Sequence, residues 1–134
     1  MLLVIIVMED MMIEALTGFP DNVAAFACHG HVTKDDYETV LIPDIEERLN
    51  RHKKVRIYYE VGPDFDGVGP GAVWDDAKLG FSHLMSWERF AVVTDVDWMA
   101  RSIKLFGFLM PAKLRTFSTA DAGEAREWIG QTQE

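Results

Sequence analysis

Val55-Arg56-Ile57-Tyr58-Tyr59-Glu60-Val61 is the stretch from which the fold is read. β-Branched and aromatic side chains dominate it, the composition of a strand. A helical stripe lies ahead of it. Tyr37, Leu41, Ile45 and Leu49 recur every four residues, with Val40 filling the same face. Thr33 reads as the N-cap of that helix, with Asp36 three residues on in a capping-box arrangement. Pro43 falls inside the helix and is expected to bend it, because its ring removes a donor and crowds the preceding turn. Arg48, Arg51, Lys53 and Lys54 gather at the far end, where cations complement the helix dipole. Behind Val61 comes the longest irregular stretch, residues 62–71, built of Gly, Pro and Asp with Phe65 and Val68.

Outward from this unit the alternation repeats. Val23–Cys28 is small and apolar, as in a strand covered on both faces, and Ile13–Leu16 reads as a short strand closed by the turn formers of residues 17–22. Downstream, a helix is expected over Ala72–Met85 and a buried strand over Phe90–Thr94. A third helix runs from Trp98 to about Leu109, capped by Asp97 and stopped by Pro111. Lys113–Phe117 is a last strand. A final helix starting at Ser118 or Thr119 carries Ala122, Ala125, Trp128 and Ile129. Strand–helix units thus alternate four times after a leading strand. That order predicts an α/β fold with a mixed, mostly parallel sheet of about five strands and about four helices. Ligands of such sheets bind at the carboxyl ends of the strands, so the loop after Val61 and the turn after Thr94 are expected at one edge.

A chain of 134 residues with 49% hydrophobic and 26% charged residues has the globular mixture and the length of one domain. Residues 12–134 are read as that domain and residues 1–11 as an N-terminal extension. Met1–Met8 (MLLVIIVM) has strand composition, lacks the basic start and small-residue cleavage site of an export signal, and is expected to add a strand or pair with another subunit. The lone cysteine cannot form an internal disulfide, which suits a reducing, cytoplasmic setting. Thirteen basic against twenty-two acidic residues give a net charge of −9, which disfavours nucleic acid.

The placed elements resemble the SpoIIAA-like family, of the STAS-type fold. The resemblance is carried by Gly30-His31-Val32-Thr33 leading into Asp35-Asp36-Tyr37, by Leu41-Ile42-Pro43, and by Asp64-Phe65-Asp66-Gly67. Trp74-Asp75-Asp76-Ala77-Lys78, Phe90-Ala91-Val92-Val93-Thr94-Asp95, Phe106-Gly107, Phe117 and Glu124-Ala125-Arg126-Glu127-Trp128 complete it. It covers Met12 to about Gly130 and implies a single α/β domain that self-associates. Two kinds of relative imply different work. STAS anti-sigma antagonists bind a partner kinase and are switched by phosphorylation of a serine after the third strand. Here the corresponding junction, Val61 to Ala77, contains neither Ser nor Thr. Lipid carriers of the CRAL-TRIO type hold apolar ligands under a movable helix.

Trp98–Arg115 is the most informative candidate for function. Trp98, Ile103, Phe106, Leu109 and Met110 make it apolar on more than one face. Asp97–Ser118 carries Arg101, Lys104, Lys113 and Arg115 against one acid, a net +3 that leaves −12 elsewhere. An all-round apolar helix is either deeply buried or meets something besides water. Flanking cations suit an anionic membrane surface, with Arg101 and Lys104 as the contacts. The plainer reading is a core helix with snorkelling cations. Phe65, Trp74, Phe81 and Trp87 are expected to line an apolar pocket together with that helix, although aromatics at such spacing more commonly form core.

The carboxylates Asp64, Asp66, Asp75 and Asp76 are read as an exposed acidic loop, the candidate contact with a protein partner. Asp64, Asp66, Gly69 and Asp75 also match part of a calcium-loop count, but Val68 and Ala72 occupy two ligand positions, and carboxylates at helix starts serve capping just as well. No metal or cofactor is expected. Cys28, His29 and His31 lack a second cysteine for a zinc set and read as a buried thiol beside turn histidines. No nucleotide-binding or nucleophile-elbow motif occurs. The reading is therefore a non-catalytic module for a small apolar or lipid-like ligand, self-associating, with peripheral membrane contact. The alternative is a STAS-like protein–protein module that works without the serine.

Overall fold

The computed structural model describes residues 12–65, 67–107 and 112–131. The extension over residues 1–11 lies outside them. A five-stranded sheet runs in the order β1 (Ile13–Ala15), β2 (Val23–Cys28), β4 (Val55–Val61), β6 (Trp87–Thr94), β7 (Lys113–Phe117). β1 is antiparallel to β2, and the other neighbours are parallel. The sheet is thus mixed and mostly parallel. A second ladder pairs β3 (His31–Val32) with β5 (Gly67–Val68), tying the loop after β4 to the entrance of the first helix. Within that loop Gly67 adopts φ +141°, a conformation that favours glycine.

Each parallel crossover carries a helix. Between β2 and β4, Lys34–Asp36, Tyr37–Leu41 and Ile42–Arg51 run on without a break and together form α1. Its middle section is wound as a π-helix, with the Ile42 N–H donating to the Tyr37 carbonyl. The expected bend at Pro43 is met by this wider turn, which directly precedes a residue that has no N–H to give. The capping box forms. Thr33 Oγ1 accepts from the Asp36 N–H, and Asp36 Oδ2 accepts from the Thr33 N–H at 2.7 Å. Asp36 is buried, and its Oδ1 accepts from the Met12 N–H at 3.0 Å, fastening β1 to α1.

Between β4 and β6 lies α2 (Pro70–Ser82), with Gly69 as N-cap and proline at its start. It begins and ends earlier than expected, and a 3₁₀ turn at Leu84–Ser86 leads into a β6 that starts at Trp87, not Phe90. α3 (Asp97–Gly107) crosses from β6 to β7. A 3₁₀ turn at Thr119–Asp121 precedes α4 (Ala122–Gly130).

The alternation of strand side chains separates two cores. Ala24, Phe26, Val55, Ile57, Val61 and Val92 face α1, α2 and α3, meeting Leu41, Ile45, Leu79, Met99 and Ile103. Val23, Ala25, Tyr58, Ala91 and Val93 face α4, meeting Ala125 and Ile129. Two buried arginines secure α4. Arg56 Nη1 donates to the Ile129 carbonyl at 2.8 Å while its Nε meets Glu88 at 2.6 Å, and Arg89 Nη1 donates to the Trp128 carbonyl at 2.7 Å. Carbonyls at a helix C-terminus lack intrahelical partners and sit at the negative end of the dipole, so cations there satisfy both needs.

Candidate functional site

The parallel register sets the edge at which a site can form. Cys28 is opposite Val61, and Val61 is opposite Thr94, so β2, β4 and β6 end together. Here α1, α2 and α3 do not close fully over the sheet. An apolar pocket of about 290 Å³ remains. Tyr59, Phe90, Val92 and Leu114 form its floor, Met99 and Ile103 of α3 its roof, and Phe65 lies among its walls. Its polar atoms are few. Cys28 lines it from β2, Tyr37 from the π-wound turn of α1, and Asp76 from α2.

Tyr37 and Asp76 form a pair. The buried Tyr37 hydroxyl donates to Asp76 Oδ1 at 3.1 Å. Burial, reinforced by the Asp76 charge, holds the Tyr37 hydroxyl far above the ordinary phenol range, so it stays protonated. Asp76 is exposed as a residue and stands at the pocket rim. Desolvation nevertheless raises its carboxyl pKa, and the Tyr37 hydrogen bond works in the opposite direction. Burial and the nearby Asp36 and Asp76 carboxylates push the Cys28 thiol up to about 12. A thiol held protonated in this way is no nucleophile at neutral pH. Among the described residues no group of three or more His, Cys, Asp or Glu side chains is placed to hold a metal ion.

The structure brings only part of the expected pocket set together. Phe65 and Ile103 line the pocket. Trp98 stacks on Phe65, with ring centroids 6.0 Å apart and 24° between planes, and remains 49% exposed. Trp74 and Trp87 do not line it; Trp74 is 64% exposed on the outside of α2, and Trp87 is buried in the core. Phe81 and Phe106 lie on α2 and α3, but their side chains, like Leu109 and Met110, fall outside the described residues. Arg101 and Lys104 are exposed on α3, beside Trp98 and Leu105.

The acidic set divides as well. Asp64 is exposed in the loop after β4, and Asp66 is outside the described residues. Asp75 and Asp76 belong to α2 and not to a loop. Asp75 is buried against Lys34 and Lys78, at 3.6 and 3.7 Å, and so is withheld from an outside partner. Asp76 turns to Tyr37. Neither Tyr37 nor Cys28 is singled out for the pocket by sequence, because a helical stripe and a buried strand absorb them. The one signal pointing to Tyr37 is Pro43, which marks irregular winding nearby.

The model of the SpoIIAA-like family matches residues 23–130. The chain belongs to the SpoIIAA-like family. Among solved structures it is similar to an uncharacterized protein of the DUF3478 family with a SpoIIAA-like fold, from Shewanella loihica. That likeness has a TM-score of 0.73 at 24% identity, over 87% of this chain and 93% of the other. It shows the fold. No curated protein matches the chain.

Proposed function

We propose that this member of the SpoIIAA-like family is a non-catalytic binding module whose pocket beneath α3 takes a small apolar or lipid-like ligand. The pocket itself carries the reading. It is about 290 Å³, walled by aliphatic and aromatic side chains, and its few polar groups are those of Cys28, Tyr37, Tyr59 and Asp76, two of them hydrogen-bonded to each other. Its volume is roughly twice that of a dry cavity of about 150 Å³ that accepts benzene. α3 roofs the pocket with Met99 and Ile103 and turns Trp98, Arg101, Lys104 and Leu105 outward. That outer face suits contact with an anionic bilayer, the source from which an apolar ligand would be drawn. No described helix is long and apolar enough to cross a membrane.

Uptake of a neutral naphthylamine fluorophore by the full chain tests the reading, with Ile103→Trp as the occluded variant. Fluorescence enhancement in the parent, reduced at least about tenfold in the variant, is expected, since an indole fills much of so small a space. No enhancement in the parent, with native mass spectrometry showing no retained ligand, overturns it.

A second reading, a protein–protein module without the phosphorylatable serine, is favoured by Trp74. An indole 64% exposed on α2 is a natural anchor for a partner. Trp74→Ala then abolishes partner capture and leaves fluorophore uptake intact, so one pair of assays separates the two readings.

A further inference from the structure

The polar end of the pocket selects among amphiphiles. We infer that its ligand carries a head group that donates hydrogen bonds, an aliphatic amine or alcohol, and that a carboxylate such as a fatty acid is rejected. The inference rests on the pocket reading above and goes beyond it in naming the head-group chemistry.

The donors and acceptors at that end are unequal. Tyr37 directs its single hydroxyl proton at Asp76 Oδ1, which leaves only the phenolic lone pairs toward a ligand. Asp76, whose Oδ1 accepts that proton, offers a ligand further acceptor lone pairs. The Cys28 thiol is a weak donor. Tyr59 adds one hydroxyl proton, a single strong donor against the carboxylate and the phenolic oxygen.

Charge acts in the same direction. Asp36, next to Tyr37 in the chain, is buried and accepts from the Thr33 and Met12 N–H groups, another carboxylate close by. The lysines of α1 and α2, Lys34 and Lys78, pair with Asp75, which is not among the lining residues. A second carboxylate at this end meets like charge with one strong donor to receive it. An ammonium meets an acceptor pair of opposite sign.

Competition of octylamine, octanol and octanoate against the bound fluorophore at neutral pH tests this, since the tails match and only the heads differ. The expected order of affinity is amine, then alcohol, then carboxylate, with octanoate at least about tenfold weaker than octylamine because of the like-charge contact. Asp76→Asn keeps an oxygen for Tyr37 and removes the charge. It should bring amine and carboxylate to within about threefold of each other. Octanoate competing as well as octylamine overturns the inference while leaving the pocket reading in place; an unchanged ratio in the variant does the same. If the fluorophore itself does not bind, both fail together. The parent ranking alone decides the matter should Asp76→Asn not fold.

Discussion

Two residues show how unevenly side-chain roles can be read from the chain. Asp36 is legible, because a Thr three positions before an acid at a helix start is a local pattern with a local physical cause. Arg56 is not. Inside a strand that otherwise reads as core, it reaches a helix terminus more than seventy positions away, and no periodicity encodes that partner. Its burial is tolerated because the guanidinium is met by Glu88 and by the carbonyls of Ile129 and Gln131. Arg56→Met is therefore expected to cost roughly 2–4 kcal/mol, measured as a shift in urea midpoint at constant slope, since it leaves acceptors without their donor. Arg126→Met is the control. Its guanidinium lies 4.7 Å from the Phe19 ring centroid on an exposed surface, where such a contact is worth about 1 kcal/mol or less. Equal losses in the two variants would show that α4 is held by area alone.

At the scale of the element, each of the five strands of the main sheet and each of the four helices is legible from composition and period, their limits less so, and the short β3–β5 ladder not at all. β6 begins three residues early because Trp87, buried with its indole N–H on the Gly80 carbonyl, belongs to the core although it follows a turn. The π-wound turn of α1 is beyond pattern reading, since Tyr37, Leu41 and Ile45 keep the four-residue spacing of an ordinary helix. Its cause is still local. A π turn is an α-helix with one residue too many, and Pro43 directly follows the point where ordinary winding resumes. Deleting the exposed Thr39 restores ordinary winding and drives the Pro43 ring against the carbonyl four positions back, at a cost of about 3 kcal/mol. Combining the deletion with Pro43→Ala recovers most of that loss. Urea midpoints of the two single changes and the double change check this coupling. A neutral deletion in the parent background would mean that proline has no part in holding the turn.

At the scale of the whole molecule, the charge asymmetry is legible and its geometry is not. A net −9 chain with a basic segment near residue 100 can be counted, but composition does not say which face of α3 the sheet covers. The fold answers by turning Met99 and Ile103 in and leaving Trp98 49% and Leu105 65% exposed on the same helix as the exposed Arg101 and Lys104. The plain core-helix reading is thus too simple for the described part of this segment, which is amphipathic. The pocket is illegible for a related reason: it depends on three helices failing to close over one edge, a property of packing and not of any one stretch. If the outer face of α3 is the membrane contact, it must act against repulsion between an anionic bilayer and an acidic protein. Only charges within about a Debye length of the surface then count in its favour. Flotation with phosphatidylglycerol vesicles at low salt should capture the chain, and zwitterionic vesicles should not. Each cation near such a surface contributes about 1 kcal/mol, so Arg101→Glu with Lys104→Glu lowers capture by more than about tenfold. Raising salt to about 1 M, where screening acts over roughly 3 Å, releases the parent. Trp98→Ser weakens capture by a similar factor across the salt range in which the parent still binds, because its share is apolar and unscreened. Capture that persists through the charge reversal would place the contact on another face and leave α3 as a roof only.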